Sequence, residues 1–424
     1  MDKISFADVS QQQLSFSKDI PSEKLILDLI DTPWVQRLRN VSQTANVKLV
    51  YMFSEHSRFG HSLGVAFLAC QVMRHLSQHF KSDIEPYQTS VAVAALLHDV
   101  GHIAPGSHVA QFAWFPDDID RHEETSNRII KNSQDIIEKI NDPSVVENVI
   151  NILAENSSVP PWTWEIISGG GWNVDRGNWC IIDSVLSGVL YGKYNIAALT
   201  EAIVLTEDKH LALRESRLDA MLHFAISRQA MYSQIYQHRV ILAADKLLNS
   251  VIKRARYLLK NGNCPSMFMD ETMYKVLNAT SVNERSIDDI FNMVESWFAY
   301  HLRRWTHCDD KILADLANRY LNRHLFKTVR IGTNDNYTDL YNQAKDAVIN
   351  CGYDPDYYLF EISTKDVNKG DANQSMLVLM DNNEIHSLSE SEPLYNSMLN
   401  ISKNESKRWL IMPEDAKKAL GRSR

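Results

Sequence analysis

The five cysteines, Cys70, Cys180, Cys264, Cys308 and Cys351, are scattered without a C-x-x-C pair among them. That spacing argues against a disulfide framework or a thiolate zinc site and fits a reducing compartment. A run of about 18 apolar residues is missing too, so no membrane-spanning helix is expected. The opening MDKISFADVSQQQ lacks the apolar core of a signal peptide, and a cytoplasmic location is the expectation. Positive charge is in short supply: 44 Lys and Arg face 53 Asp and Glu, for a net charge of −9. Such a balance disfavours indiscriminate attraction to nucleic acid but leaves room for a local basic pocket. Neither an internal repeat nor a low-complexity tract occurs. What remains is the composition of an ordinary soluble globular protein, 44% hydrophobic and 23% charged, which says nothing about chemistry.

Patterning says more. Most of the first 255 residues read as helix. SEKLILDLID has apolar positions at helical spacing, with Ser22 as an N-cap. LGVAFLACQVMRHLSQHF and TSVAVAALLHDVGH are long enough to be buried helices rather than strands. The stretch from Ser216 to Leu259 has no Gly or Pro and reads as one bent helix or two. Pro160, Pro161 and the run Gly169 to Gly171 enforce loops and tight turns. Beyond about residue 330, YYLFEIS and SMLVLMD alternate like strands of a hairpin or small sheet. The expectation is a mainly α protein. Residues 1–50 form an N-terminal segment, 51–255 a helical core, and 256–424 a C-terminal region that adds a smaller α/β part.

Histidine is concentrated: eight of fifteen lie between His56 and His122. For His75 and His79 a satisfied core position is the better reading. His98 and Asp99 differ, because they directly follow the apolar VAVAALL, where a carboxylate needs a cation or a metal. Gly101 then ends the helix or turns the chain. Imidazoles with carboxylates suit a divalent ion, with Mn, Mg, Fe, Ni and Zn all candidates.

These residues carry a resemblance. R-F-x-H-S at Arg58 to Ser62, the pair His98-Asp99, and Gly101-His102 resemble the HD-domain phosphohydrolases. DTPWVQRLRNVSQ, RHEETS, SGGGWNVDRGNWCIIDS and SRQAMYSQIYQHRVILAADKLL extend the likeness. Together they resemble the deoxynucleoside triphosphate triphosphohydrolases of that superfamily, the dGTPase and SAM-and-HD-domain enzymes, from about residue 25 to 250. Two aspartates compete for the distant metal ligand, and the register of this resemblance selects Asp175 over Asp183.

The resemblance implies hydrolysis of a dNTP, with dGTP a candidate, to a deoxynucleoside and triphosphate. It implies His61, His98, Asp99 and Asp175 as metal ligands. Arg58, Arg176 and Arg228 would bind phosphates, where forked donors give bidentate contacts; a surface salt bridge is the alternative fate of each. His102, His108, His122 and Glu123 would place water and protonate the leaving group. Gln43, Tyr236 and Gln237 would meet the base and Asp183 the deoxyribose. Asp31, Gln36 and Arg39 match positions that bind a nucleotide effector, and the family implies a homo-oligomer. Nucleic acid is not required as a partner, though nothing forbids it, and a role in antiphage defence would suit the activity.

The departures are specific. GHIAPGSH carries one residue more than the family's G-H-x-P-F-x-H, which displaces His108. The acid expected shortly afterwards is Gln111 or Phe112. Trp179 stands where a Tyr packs under the sugar, and Asn178 replaces an acidic residue. Other HD phosphohydrolases therefore compete as readings: a 5′-nucleotidase, or a cyclic-dinucleotide or alarmone hydrolase. So does a regulator with a degenerate site that senses nucleotides or binds nucleic acid.

Overall fold

The computed structural model describes residues 2–106, 112–118, 122–262, 265–364, 376–404 and 407–421. It is mainly helical, as expected, with small sheets at its margins. The start departs from expectation. β1 (Lys3–Asp8) and β2 (Gln12–Ser17) form an antiparallel hairpin with Phe6 opposite Leu14. Leu14 and Phe16 are buried at period two, the spacing of a strand rather than a helix. In α1 (Pro21–Ile30), Pro21 occupies the first helical turn and Ile20 the cap, so Ser22 lies inside the helix instead of capping it. Proline is favoured there because its φ is already helical and its missing N–H would have had no partner.

The centre is a pair of packed helices, α3 (Arg58–Ile84) and α4 (Gln88–Leu97). Every residue of α4 from Ser90 to Leu97 is buried, the condition of a helix that is apolar all round. Around them run α5 (His122–Asn132) and α6 (Val174–Leu186). Pro161 starts a short helix, Pro161–Ser168, so the double proline begins an element as well as ending a loop. Gly171 then turns at φ 64° before Asn173 caps α6 by accepting from the Arg176 N–H. The stretch from Ser216 to Leu259 is two helices, α7 (Leu218–Met231) and α8 (Arg239–Asn261). One turn of π-helix, Tyr232–Tyr236, separates them.

The C-terminal strands do not pair as expected. YYLFEIS supplies β6 (Phe360–Ser363), which lies against β9 (Arg408–Met412), with β5 (Lys327–Arg330) on the other side of β9. SMLVLMD supplies β7 (Leu377–Leu379) to a different sheet. There it runs parallel to β4 (Leu211–Arg214), between that strand and β8 (Ile385–Ser387), with β3 (Ile203–Leu205) outermost. Alternation marks a strand but not its partner, and the free edge of β4 accepts β7.

Two buried polar devices tie these layers together. Arg37, at the end of α2 (Pro33–Arg37), donates to the carbonyls of Val100, His102, Ile290, Phe291 and Met293 at 2.8–3.3 Å. Burial pushes its guanidinium down to about 9, so it remains cationic at neutral pH. On α8, buried Asp245 accepts from Asn46 Nδ2 at 2.7 Å, and Asn46 Oδ1 accepts from the Tyr320 hydroxyl at 2.7 Å. Burial outweighs that hydrogen bond and pushes the Asp245 carboxyl from 3.8 up to about 6.

Replacing Arg37 with Met strands five carbonyl contacts and is expected to cost about 3 kcal/mol; an unchanged thermal midpoint would contradict this. Asp245 has its folded pKa above its unfolded one. Its contribution to stability is therefore full below the unfolded value and lost as pH rises through 4 to 6. Asp245→Asn should accordingly gain on the wild type between pH 4 and 7.5, by about 3 kcal/mol at most. Parallel midpoints across that range would refute it.

Candidate metal centre

The end of α4 and the first turns of α3 and α5 converge on one carboxylate, and the first turn of α6 meets the histidines around it. Because α4 is buried on every side, the polar residues that follow it are carried into the interior. Asp99 Oδ2 accepts from Arg58 Nη1 at 2.6 Å and stands 3.8 Å from His61 Nε2. Asp99 Oδ1 lies 3.2 Å from His102 Nε2 and 3.4 Å from His98 Nε2. Burial alone would raise this carboxyl. The Arg58 charge, followed by His98 and His102, outweighs burial and holds it well below the usual range.

Both leading histidines have Nδ1 assigned as a donor. His98 Nδ1 donates to the Ala95 carbonyl at 2.9 Å, and its Nε2 is buried without a hydrogen-bond partner. His61 Nδ1 donates to Asn178 Oδ1 at 2.9 Å, which turns Nε2 towards Asp175 Oδ1 at 3.0 Å. Asp175 Oδ1 is also 3.8 Å from His98 Nε2. Burial would raise Asp175, but the His61 hydrogen bond and the two rings hold it below its ordinary value. Ligand atoms of His61, His98 and Asp99 lie within 4.8 Å of one another. Two imidazole nitrogens and two carboxylates, with one nitrogen orphaned, are a donor set that fits a divalent ion.

Beside this set, Asp99, His102 and His122 form a second convergent group. The His102 and His122 rings stack at 4.1 Å, and His122 Nε2 is 3.2 Å from Glu123 Oε1. Burial, then Arg58 and His122, push His102 well below its usual range despite Asp99, so the ring is neutral. Gly101 lies in the expected turn after α4 and has a second function. A Cβ there would fall 2.2 Å from the His122 carbonyl oxygen and 2.6 Å from the Ser126 nitrogen, so its missing side chain admits α5. His108 and Gln111 lie outside the described residues, and Phe112 is exposed.

Asp183 stands apart from this donor set. His56 Nε2 approaches its Oδ1 at 2.8 Å, and the Tyr236 hydroxyl donates to its Oδ2 at 2.5 Å. Trp179 packs edge-on against Tyr236 at 5.6 Å, and Arg228 lies 4.9 Å over Tyr232. Gln43 joins the chain at His56 through its backbone N–H, its Oε1 buried and unpartnered. Gln237 follows the π turn, its N–H donating to the Tyr232 carbonyl. Arg176 reaches back to the Gly169 carbonyl at 2.8 Å.

Among the residues matched to an effector site, Gln36 bonds the Ile30 carbonyl and receives Arg39 Nε at 2.9 Å, while Asp31 caps α1. A cavity of about 770 Å³ opens beside α2, lined by Gln36, Asn40, Trp297 and Tyr300 among others; none of the His-Asp ligands borders it.

Sequence reasoning missed three residues of this region: Arg37, His56 and the positive role of Asn178. Asn178 had a usable signal, since its i+3 spacing from Asp175 places both on one face of α6.

The HD domain family matches residues 58–206. The chain is 28% identical over 415 residues to the Bacillus subtilis protein YwfO, covering 93% of this chain and 89% of that one. It is 23% identical over 265 residues to the deoxynucleoside triphosphate triphosphohydrolase SAMHD1 of Gallus gallus, spanning 54% of this chain and 43% of that protein. A phosphohydrolase from Bacteroides thetaiotaomicron has the same fold, with TM-score 0.81 at 20% identity over 97% of this chain and all of that one. Among the described residues no helix is long and apolar enough to cross a membrane. The His-Asp pair at the end of the buried helix lies inside the segment, running from α3 to β3, that matches the HD domain family.

Proposed function

We propose that the chain is a metal-dependent phosphohydrolase that cleaves dNTPs to deoxynucleoside and triphosphate. The observation that carries the reading is the unpartnered His98 Nε2, buried beside His61, Asp99 and Asp175. Those four residues would hold the ion. When bound, a divalent ion supplies Lewis acidity and lowers the pKa of water. The SAMHD1 relatives, named as dNTP triphosphohydrolases, support the substrate class.

The chain's own groups divide the remaining work. Arg58 is engaged by Asp99 and by the Gly106 carbonyl, so its first task is to hold a ligand in place. Charge on the phosphates then falls chiefly to Arg176 and Arg228. The neutral His102 positions water, aided by His108. His122, oriented by Glu123, gives its proton to the departing 5′-oxygen. Tyr236 and His56 orient Asp183 towards the sugar, while Trp179 closes its flank. Gln43 and Gln237 face the base. A nucleotide effector held by Asp31, Gln36 and Arg39 would act from the side of α2 in a homo-oligomer.

Incubation of the purified chain with each dNTP and NTP in Mn²⁺ or Mg²⁺ is expected to release triphosphate and nucleoside; pyrophosphate, orthophosphate or no turnover would overturn the reading. In Mn²⁺ titration of the chelator-stripped protein, Asp175→Ala should lose binding while Asp183→Ala keeps it. The reverse result would move the ligand to Asp183.

A further inference from the structure

Asn178 is 2% exposed on α6, one turn beyond Asp175, and its Oδ1 receives the Nδ1 proton of His61. An amide oxygen can only accept, so the contact keeps a proton on His61 Nδ1 and turns Nε2 towards Asp175. The approach depends on Gly64, one turn beyond His61 on α3. A Cβ at Gly64 would stand 2.2 Å from Asn178 Nδ2, 2.9 Å from its Cγ and 3.0 Å from its Oδ1. The amide is the far end of a side chain, so rotation away from His61 is its cheapest response to a methyl group.

We propose that Asn178 is a positioning residue for the metal centre, holding His61 through a neutral acceptor, and that Gly64 is the gap that makes this contact. The inference rests on the metal reading of His61, His98, Asp99 and Asp175. An outer partner of a metal-bound histidine fixes ring orientation and raises ligand basicity, the more so when it is a carboxylate. With the amide, the charge of a divalent ion is balanced by Asp99 and Asp175 alone, and His61 remains a weaker electron donor. Asn178 thus trades binding strength for a more electron-poor ion.

The test is Mn²⁺ titration calorimetry on the chelator-stripped full chain, independent of turnover. Asn178→Leu is expected to weaken binding about 10- to 100-fold, and Asn178→Asp to bind at least as tightly as the wild type. Gly64→Ala should reproduce the Leu loss, and adding it to Asn178→Leu should cost nothing further, since both remove one contact. Should Asn178→Leu fail to fold, the Asp and Gly64→Ala variants carry the test, because one keeps the acceptor and the other leaves Asn178 intact. Equal affinity in the wild type, Asn178→Asp and Gly64→Ala would overturn the proposal. A wild type that binds Mn²⁺, loses it in Gly64→Ala and hydrolyses no nucleotide would sink the hydrolase reading while upholding this one.

Discussion

The Asp99 carboxylate is the contact on which the helical core depends. It sits 3% exposed at the end of a helix with no polar face, where a lone anion would be prohibitive. Its charge is offset by Arg58 at one oxygen, while the His98 and His102 rings stand 3.4 and 3.2 Å from the other. Those partners come from α3 and from the turns after α4, so meeting the demand of one oxygen pair draws the elements into register. Replacing such a group with an apolar one could stabilise a fold; retaining it here points to a chemical use.

Close approach makes the arrangement feasible. Gly101 lets α5 bring His122 beside His102, and Gly64 lets α6 bring Asn178 against His61. Arg37 then fixes the chain beyond Asp99 from behind, through the Val100 and His102 carbonyls. Two absent side chains and one buried cation thus set the positions of the residues in this cluster. The side around Asp183 is built differently. Asp183, His56 and Tyr236 form a hydrogen-bonded group flanked by Trp179, served by the π turn that interrupts the long helical stretch. π turns are rare and recur at functional sites because they shift side chains off the regular helical stripe.

Legibility in the sequence followed locality. His98-Asp99 could be read because a polar pair after eight buried positions has no other explanation than a partner, and the buried helix was plain from its length. Arg58 and His61 lie one turn apart, so a single motif presents both. The β1–β2 hairpin was missed because its alternation is short and polar on the β1 side. β6 and β7 were read as strands but not assigned to separate sheets, since the edge of β4 lies more than 160 residues earlier than β7. Ser22 does not cap the helix because Pro21 moves the start two residues earlier.

The sequence by itself determined the residue types and their helical phase: a buried α4, a His-Asp pair at its end, Asp175 and Asn178 on one face of α6. Hydrophobic periodicity and side-chain chemistry are local properties, and they suffice for that. Only the tertiary structure decided where the ring nitrogens of His61 and His98 point, that Asp175 rather than Asp183 faces the histidine pair, and that Arg58 serves Asp99. Apart from the local bond of His98 to Ala95, those outcomes depend on contacts between residues 40 to 130 positions apart in sequence, whose geometry exists only once the helices have packed.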